Sequence, residues 1–396
     1  MHVAMIGQKG VPARSGGVER YVEELCRRLA ARGIPTTVYS RHWYVGNSPT
    51  AQLPRSVRQV VTPSLRTKHL DTITHVWFAV NDVLARDYID LIHVHCPGPA
   101  LLLPLLRLAR KPIVWTIHGL DWKREKWGRI ARWVLQAGEW CGARLADRVV
   151  VVSPALVEYV RARYGREAVC VPNAASALPY RPPSFILRFG IEPRRYLLCV
   201  GRLVPEKGIH LAIEAYRALR RDDVQLVIAG GSMYDDAYER RLRAQAGTGV
   251  IFTGPADREL LAELYHHALV FLLPSTLEGM SIALLEALHH GLACVVSDIP
   301  ENTAVVDHPL GVFRSGDAAS LAGRLAHLLD RPERLAELRA YCRRRAGRFS
   351  WDEVVERMVV VYRDALAASR GRAKAFLRRV AEDRPRSLAR GPVATV

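Results

Sequence analysis

The sequence predicts an α/β protein built from two Rossmann-like, doubly wound parallel-sheet domains that face a central cleft. Three observations carry this. Short apolar runs that read as buried strands alternate with longer stretches of helical period. The alternation breaks once, over 174–193, where Pro179, Pro182 and Pro183 fall, and then restarts. The chain is 396 residues long and 49% hydrophobic, which suffices for two cores and excludes disordered, collagenous and mini-protein classes.

In order, the first strand is Val3–Ile6, followed by a Gly-rich loop and a helix near Val18–Arg32 that Gly33 closes. Further strands are predicted at Pro35–Ser40, Leu91–His95, Ile113–Ile117, Arg148–Val152 and Ala168–Val171, the last running into Pro172-Asn173. After the break come strands Tyr196–Val200, Val224–Ala229, Val250–Thr253, Val270–Leu273 and Ala293–Ser297. Helices are predicted at Ile209–Arg220, Tyr238–Gln245, Leu260–His267, Ile282–His290, Leu321–Leu329 and Trp351–Leu366. Continuous apolar strands between helices belong to parallel sheets covered on both faces. The expected organisation is a first domain over 1–173, a linker over 174–194 and a second domain over 195–348. A helix over 349–368, placed to pack back across the first domain, and a basic tail over 369–396 complete it. Ligands of such sheets lie at the carboxyl ends of the strands, which puts the site between the domains.

The net charge of +18 is uneven. Residues 1–180 carry +12, residues 181–362 are neutral and residues 363–396 carry +6. This excludes a chain that coats nucleic acid uniformly and points to one face that meets an anionic partner. The opening apolar run is too short for a signal peptide, and no stretch of about 18 apolar residues suggests a transmembrane helix. The seven Cys form no Cys-x-x-Cys pair, so reduced cytoplasmic thiols are expected.

Four segments carry candidate chemistry. In Leu272–Gly291, a strand ends at Pro274 and a loop with Glu278 and Gly279 leads into an apolar helix. The amides over Gly279, Met280, Ser281, Ile282 and Ala283 open that helix, and its dipole favours an anion there. Glu286 stands among Ile, Ala and Leu; buried without partners it would need donors, which a sugar diol supplies. Alone, such a Glu is more often a solvated position of an amphipathic helix. In Gly201-Arg-Leu-Val-Pro-Glu-Lys-Gly208, Arg202 and Lys207 lie in a strand-to-helix loop where two cations answer a diphosphate, although such pairs are commonly just solvated. In Gly7–Tyr21, Gly16 and Gly17 open a helix and permit close approach to a ligand, but neither the dinucleotide fingerprint nor the P-loop is present. In Thr116-Ile-His118-Gly119-Leu-Asp121-Trp122, His118 and Asp121 follow a strand and should face the cleft, whereas a lone His is usually structural. His93 and His95 share one strand face and read as packing or cleft lining, since no third metal ligand is evident.

These four segments, in this order, resemble glycosyltransferase family 4, the retaining GT-B sugar-nucleotide transferases, over roughly residues 2–366. The Glu278-x7-Glu286 pair and Gly201-Arg-Leu-x-x-Glu-Lys-Gly208 carry most of the likeness. Gly16-Gly17-Val-Glu-Arg, His118-Gly119, Val152-Ser153, Pro172-Asn173 and Pro274-Ser275-x-x-Glu278-Gly279 support it. Ala174 departs from the Gly that the family often has after Pro-Asn. The resemblance implies that Arg202 and Lys207 bind the donor diphosphate and the amides after Glu278 cap its distal phosphate. Glu286 would hold the ribose hydroxyls and Glu278 would sit near the donor sugar. Gly16 and Gly17 would line the nucleotide and acceptor side, and His118 would lie beside the transferred sugar. Asp121 and Trp122 fall on the acceptor side. The implied reaction is metal-independent, configuration-retaining transfer from a nucleoside diphosphate sugar, with no cofactor and no metal ligands. No Asp-x-Asp stands in a plausible metal-binding loop, and Asp222-Asp223 and Asp235-Asp236 read as surface turns.

Within the family, Gly119–Gly128 and Ser297–Asn302 look like bacterial envelope-polysaccharide transferases. Trp122, Trp127, Trp133 and Trp140 interleave with Lys123, Arg124, Lys126, Arg129, Arg132, Arg144 and Arg148. That pattern suits a helix lying at an anionic bilayer, and equally a solvated basic face over core Trp. Arg370, Arg372, Lys374, Arg378 and Arg379 flank Phe376 and Leu377 in the tail as a second candidate contact. The expectation is a cytoplasmic enzyme, peripheral at the inner leaflet, using a polyprenyl-diphosphate-linked saccharide as acceptor. Two other readings share the fold: a sugar-nucleotide 2-epimerase, and a non-catalytic sugar-nucleotide-binding subunit of an envelope complex. A nucleic-acid partner is not expected, since the recognisable modules are missing.

Overall fold

The structure is a computed structural model that describes residues 1–14, 16–46, 53–67, 70–232 and 237–382, with backbone alone from 370 onward. The first sheet holds β1 (Val3–Ile6), β2 (Thr36–Arg41), β3 (Val57–Thr62), β4 (Leu91–His95), β5 (Ile113–Ile117), β6 (Arg148–Val151) and β7 (Val169–Cys170) in the order β3-β2-β1-β4-β5-β6-β7. The second holds β8 (Tyr196–Val200), β9 (Gln225–Ala229), β10 (Val250–Gly254), β11 (Val270–Leu273), β12 (Ala293–Ser297) and β13 (Val312–Phe313) in the order β10-β9-β8-β11-β12-β13. All pairings are parallel, with Val3 opposite both Thr36 and Leu91, and Val270 opposite both Leu197 and Ala293. The central strands are buried along their whole length, as their continuous Val, Ile and Leu runs require. Both orders reverse direction between the first and fourth strand, at β1/β4 and β8/β11, and each reversal opens a crevice at the strands' carboxyl ends.

The structure adds elements that the sequence pattern does not announce. Strand β3 is half-exposed, with Arg58 and Gln59 in its middle, so it lacks a buried strand's signature. The helices Asp71–Leu84 and Pro332–Ala346 were not anticipated, and β7 and β13 are two-residue edges. All seven Cys are free thiols.

The last helix runs from Trp351 to Glu382, past the expected boundary at 368. Residues 367–382 contain no Pro and one Gly, with Ala, Arg, Lys and Leu sustaining the helix. Its first half closes the first domain: Trp351, Val355, Met358 and Tyr362 join Met5, Tyr21, Val22, Leu25, Val114 and Val150 in one core. His93 belongs to this packing; its Nδ1 lies 2.8 Å from the Tyr362 hydroxyl and its Nε2 2.7 Å from Thr116 Oγ1. The linker is stitched to the second domain. The buried Glu263 accepts from the amides of Ser184 (2.9 Å) and Ile186 (3.0 Å), and His290 Nε2 accepts from the Leu178 amide at 3.0 Å.

Candidate active site

The four candidate segments leave the carboxyl ends of β1, β5, β8 and β11 and meet between the domains. The first domain presents the start of the helix Gly17–Ala31, and the second the start of the helix Ile282–His289. A Cβ on Gly17 would lie 3.5 Å from Ile282 Cδ1. Gly16, at φ +100, holds a left-handed turn where Glu19 Oε2 occupies the side-chain space. Gly279 packs on the backbone of the opposite domain, and a Cβ there would stand 2.0 Å from His118 O. Asn173 Nδ2 donates to Met280 O at 2.9 Å, tying the end of the first domain to the same loop.

Glu278 is held from two sides, by Lys207 Nζ at 2.5 Å and by the Ser275 hydroxyl at 2.7 Å. Arg202 is crowded, yet its guanidinium makes no hydrogen bond or ion pair among the described residues. Burial lowers its pKa, Arg124 lowers it further, and Glu206, Asp121 and Glu19 act against both. Arg124 experiences the same burial, but Asp121 Oδ1 at 2.8 Å, with Glu206 and Glu278 beyond, keeps it above its ordinary value. Lys126 is pushed down to about 8 by burial and by the Arg124 and Arg202 charges. Cations from both domains therefore converge on one place, and Arg202 has no carboxylate of its own. An anionic ligand would relieve this arrangement.

Beside it, the Ser281 hydroxyl caps the helix Ile282–His289 by accepting from the Leu284 amide at 3.4 Å. The preceding amides point out of the helix without intrahelical acceptors. Met280 and Ser281 are buried, so this end is shielded from bulk water.

Glu286 is buried rather than solvated, and its carboxylate already has protein donors. Its Oε1 accepts from Arg20 Nη1 at 2.7 Å, across the domain boundary, and its Oε2 from the Tyr265 hydroxyl at 2.9 Å. Tyr265 stacks on His290 at 5.0 Å, and burial with the nearby Glu286 charge pushes its phenol well above the usual value. Burial lowers His290 to about 4, so its neutral ring accepts from Leu178 and donates from Nδ1 to Glu286 O at 2.7 Å.

On the acceptor side, burial lowers His118 to about 4, with Asp121 opposing, and its Nε2 lies 3.1 Å from His95 Nδ1. Tyr21 meets the His118 ring edge-on at 5.1 Å. His95 Nε2 is buried without a hydrogen-bond partner among the described residues. Trp122 is turned against its own domain, beneath Lys123 and Arg163. Asp223 is ion-paired to Arg221 at the surface, and Asp235-Asp236 lie outside the described residues. The pattern in the sequence did not single out Arg20, Tyr265, His290 or Ser275 as site groups, whereas it read His95 as packing or cleft lining. Arg20 and Ser275 stood inside quoted motifs; Tyr265 and His290 carried no signal of their own.

Two parallel sheets with this order, meeting at their crevices around a cationic and helix-capped centre, define a two-domain Rossmann-like protein whose cleft is built for an anionic ligand. Residues 188–347 match the family of glycosyl transferases group 1, and residues 15–177 match Glycosyltransferase Family 4. A D-inositol 3-phosphate glycosyltransferase of Acidothermus cellulolyticus is 30% identical, the alignment covering 90% of this chain and 87% of that one. A glycogen synthase of Mycobacterium tuberculosis is 29% identical over 94% of this chain and 96% of that one. The solved sucrose-phosphate synthase of Thermosynechococcus elongatus superposes with a TM-score of 0.80 at 25% identity, covering 93% and 99% of the two chains. The chain belongs to glycosyltransferase family 4 and is a glycosyltransferase of the GT-B fold.

Proposed function

We propose that this glycosyltransferase moves a sugar, with retention of configuration, from a nucleoside diphosphate sugar to a polyprenyl-diphosphate-linked saccharide in bacterial surface-polysaccharide synthesis. The observation that carries the donor reading is the convergence of Arg202, Lys207, Glu278, Glu286 and the amides from Gly279 to Ile282 at one end of the cleft. In this reading Arg202, Lys207 and the helix amides stabilise the charge that builds on the departing diphosphate. They do this where a divalent ion would otherwise act. Glu286 takes the ribose hydroxyls. Glu278, oriented by Lys207 and Ser275, faces the donor sugar, and neutral His118 lies beside it. Gly16 and Gly17 line the nucleotide and acceptor side, and Asp121 borders the acceptor.

The acceptor reading rests on the outer face of the first domain. Ile130, Trp133 and Trp140 are 82%, 69% and 52% exposed along one side of the helix Arg129–Leu145, among the exposed Arg129, Arg132 and Arg144. Trp77 and Phe78 are half-exposed on the helix Asp71–Leu84. Trp122 and Trp127 are tucked in and take no part in this face. The side chains of Arg370, Arg372, Lys374, Arg378 and Arg379 lie outside the described residues. No described helix is long and apolar enough to cross a membrane. Apolar side chains ringed by cations suit an anionic leaflet.

The test is a panel of nucleoside diphosphate sugars at one shared concentration, read first by thermal shift and then by transfer to lipid-linked acceptor in anionic vesicles. Product with inverted configuration would overturn the mechanism. Transfer that requires added magnesium for the chemical step would overturn the metal-free scheme.

A further inference from the structure

Glu286 is seated by groups from three parts of the chain. Arg20 reaches Oε1 at 2.7 Å from the first turn of the helix Gly17–Ala31, in the other domain. Tyr265 reaches Oε2 at 2.9 Å from the helix Arg258–His267. His290 stacks on Tyr265 and donates to the Glu286 carbonyl. Each carboxylate oxygen has two lone pairs, so one partner per oxygen leaves one acceptor site on each. The pair is asymmetric in burial: the Glu286 side chain is 9% exposed and that of Arg20 is 32% exposed. The cation therefore approaches from the rim of the cleft toward a carboxylate that the second domain already encloses. Without Arg20, the buried charge keeps one neutral donor and no counter-ion, and it loses the contact that fixes the plane of its carboxylate.

We propose that Arg20 is a positioning residue of the donor site: it orients Glu286 for the donor's vicinal diol and makes that seat depend on contact between the two domains. The proposal rests on the reading of Glu286 as the ribose acceptor. Another interdomain ion pair of this helix, the exposed Arg258 with Glu24 at 3.9 Å, is far looser, and it serves as the internal control.

The experiment compares affinities for UDP, GDP and ADP with those for their 2′-deoxy counterparts, using the base that binds best. Wild-type protein, Arg20→Ala, Arg20→Lys, Glu286→Gln and Arg258→Ala are titrated calorimetrically, with circular dichroism as the fold check. The wild type should prefer the ribonucleotide by roughly tenfold or more, the scale of a charge-assisted hydrogen bond. Arg20→Ala and Glu286→Gln should both bring the ratio to within about twofold of one, Arg20→Lys should fall between, and Arg258→Ala should keep the wild-type ratio. If Arg20→Ala weakens both ligands equally and keeps the ratio, Arg20 merely bridges the domains and the proposal is overturned while the ribose reading stands. If the wild type shows no ribose preference, or Glu286→Gln retains it, the ribose reading fails and takes the proposal with it. Should Arg20→Ala unfold, Arg20→Lys with an unaltered ratio is the refuting result.

Discussion

Replacing Gly279 with Ala tests the closed juxtaposition of the two domains with a single methyl group. The new Cβ would lie 2.0 Å from His118 O, 2.7 Å from His118 C and 3.1 Å from Gly119 Cα. Real Cβ contacts stay above 3.0 Å, and all three neighbours are backbone atoms that no rotamer change can move aside. The loops must therefore separate by about 1 Å, a displacement that costs on the order of 10²-fold in rate when it falls between reacting groups. That equals about 2.7 kcal/mol in activation free energy. Neither core is touched, so the fold should persist. The assay is release of nucleoside diphosphate from the donor chosen by thermal shift, read as kcat/KM. Gly323→Ala is the matched control. Gly323 lies exposed in the helix Ala318–Leu329 with nothing within 4 Å of its added Cβ, so activity should be unaltered and stability should rise by about 0.5–1 kcal/mol. Gly279→Ala with kcat/KM within about threefold of wild type would refute the reasoning, because the two loops would then not meet as described during turnover.

Glu286→Ala and Lys207→Ala should each lower transfer by roughly 10²- to 10³-fold with an unchanged circular dichroism spectrum; wild-type activity in both would sink the site assignment. Trp133→Ala combined with Trp140→Ala should weaken flotation with anionic liposomes by about tenfold or more, whereas full binding by the double variant would exclude that face. Burial, with His118 as a lesser cause, pushes His93 down to about 3. Below pH 6.5 the unfolded chain takes up a proton that the folded His93 refuses. Stability should therefore fall by about 1.4 kcal/mol per pH unit from this residue between pH 6 and 4. Urea titrations at pH 7, 6 and 5 should show a shallower decline in His93→Asn than in the wild type.

The parallel sheets were legible because their central strands are continuous apolar runs, and the site loops because they follow those runs directly. Strand β3 was illegible because an edge strand with Arg58 and Gln59 does not need to be apolar. The partners of Glu286 show a different limit. Arg20 lies 266 positions away, and only the folded arrangement brings its guanidinium to that carboxylate. Its own helix left Glu286 open between a solvated and a buried position, and the sequence holds no local trace of which donors meet it. The Trp pattern was half informative. All four indoles fall in one basic stretch, yet helical phase exposes Trp133 and Trp140 while the loop before the helix folds Trp122 and Trp127 inward.

The return of the last helix has a consequence for how this chain comes to exist. Tyr21, Val22, Leu25 and Val114 belong to the first domain, but the surface that covers them is Trp351, Val355, Met358 and Tyr362. A nascent chain of 173 residues would hold a sheet whose apolar face is covered on one side by the helix Gly17–Ala31 and left bare beside it. It must wait while about 180 further residues are made, roughly ten seconds or more at ordinary elongation rates. The second domain meets no such delay, since its strands and most of the helices covering them are contiguous in sequence. The half that begins synthesis is thus the half completed last, and the interval between is when this protein would most need a chaperone.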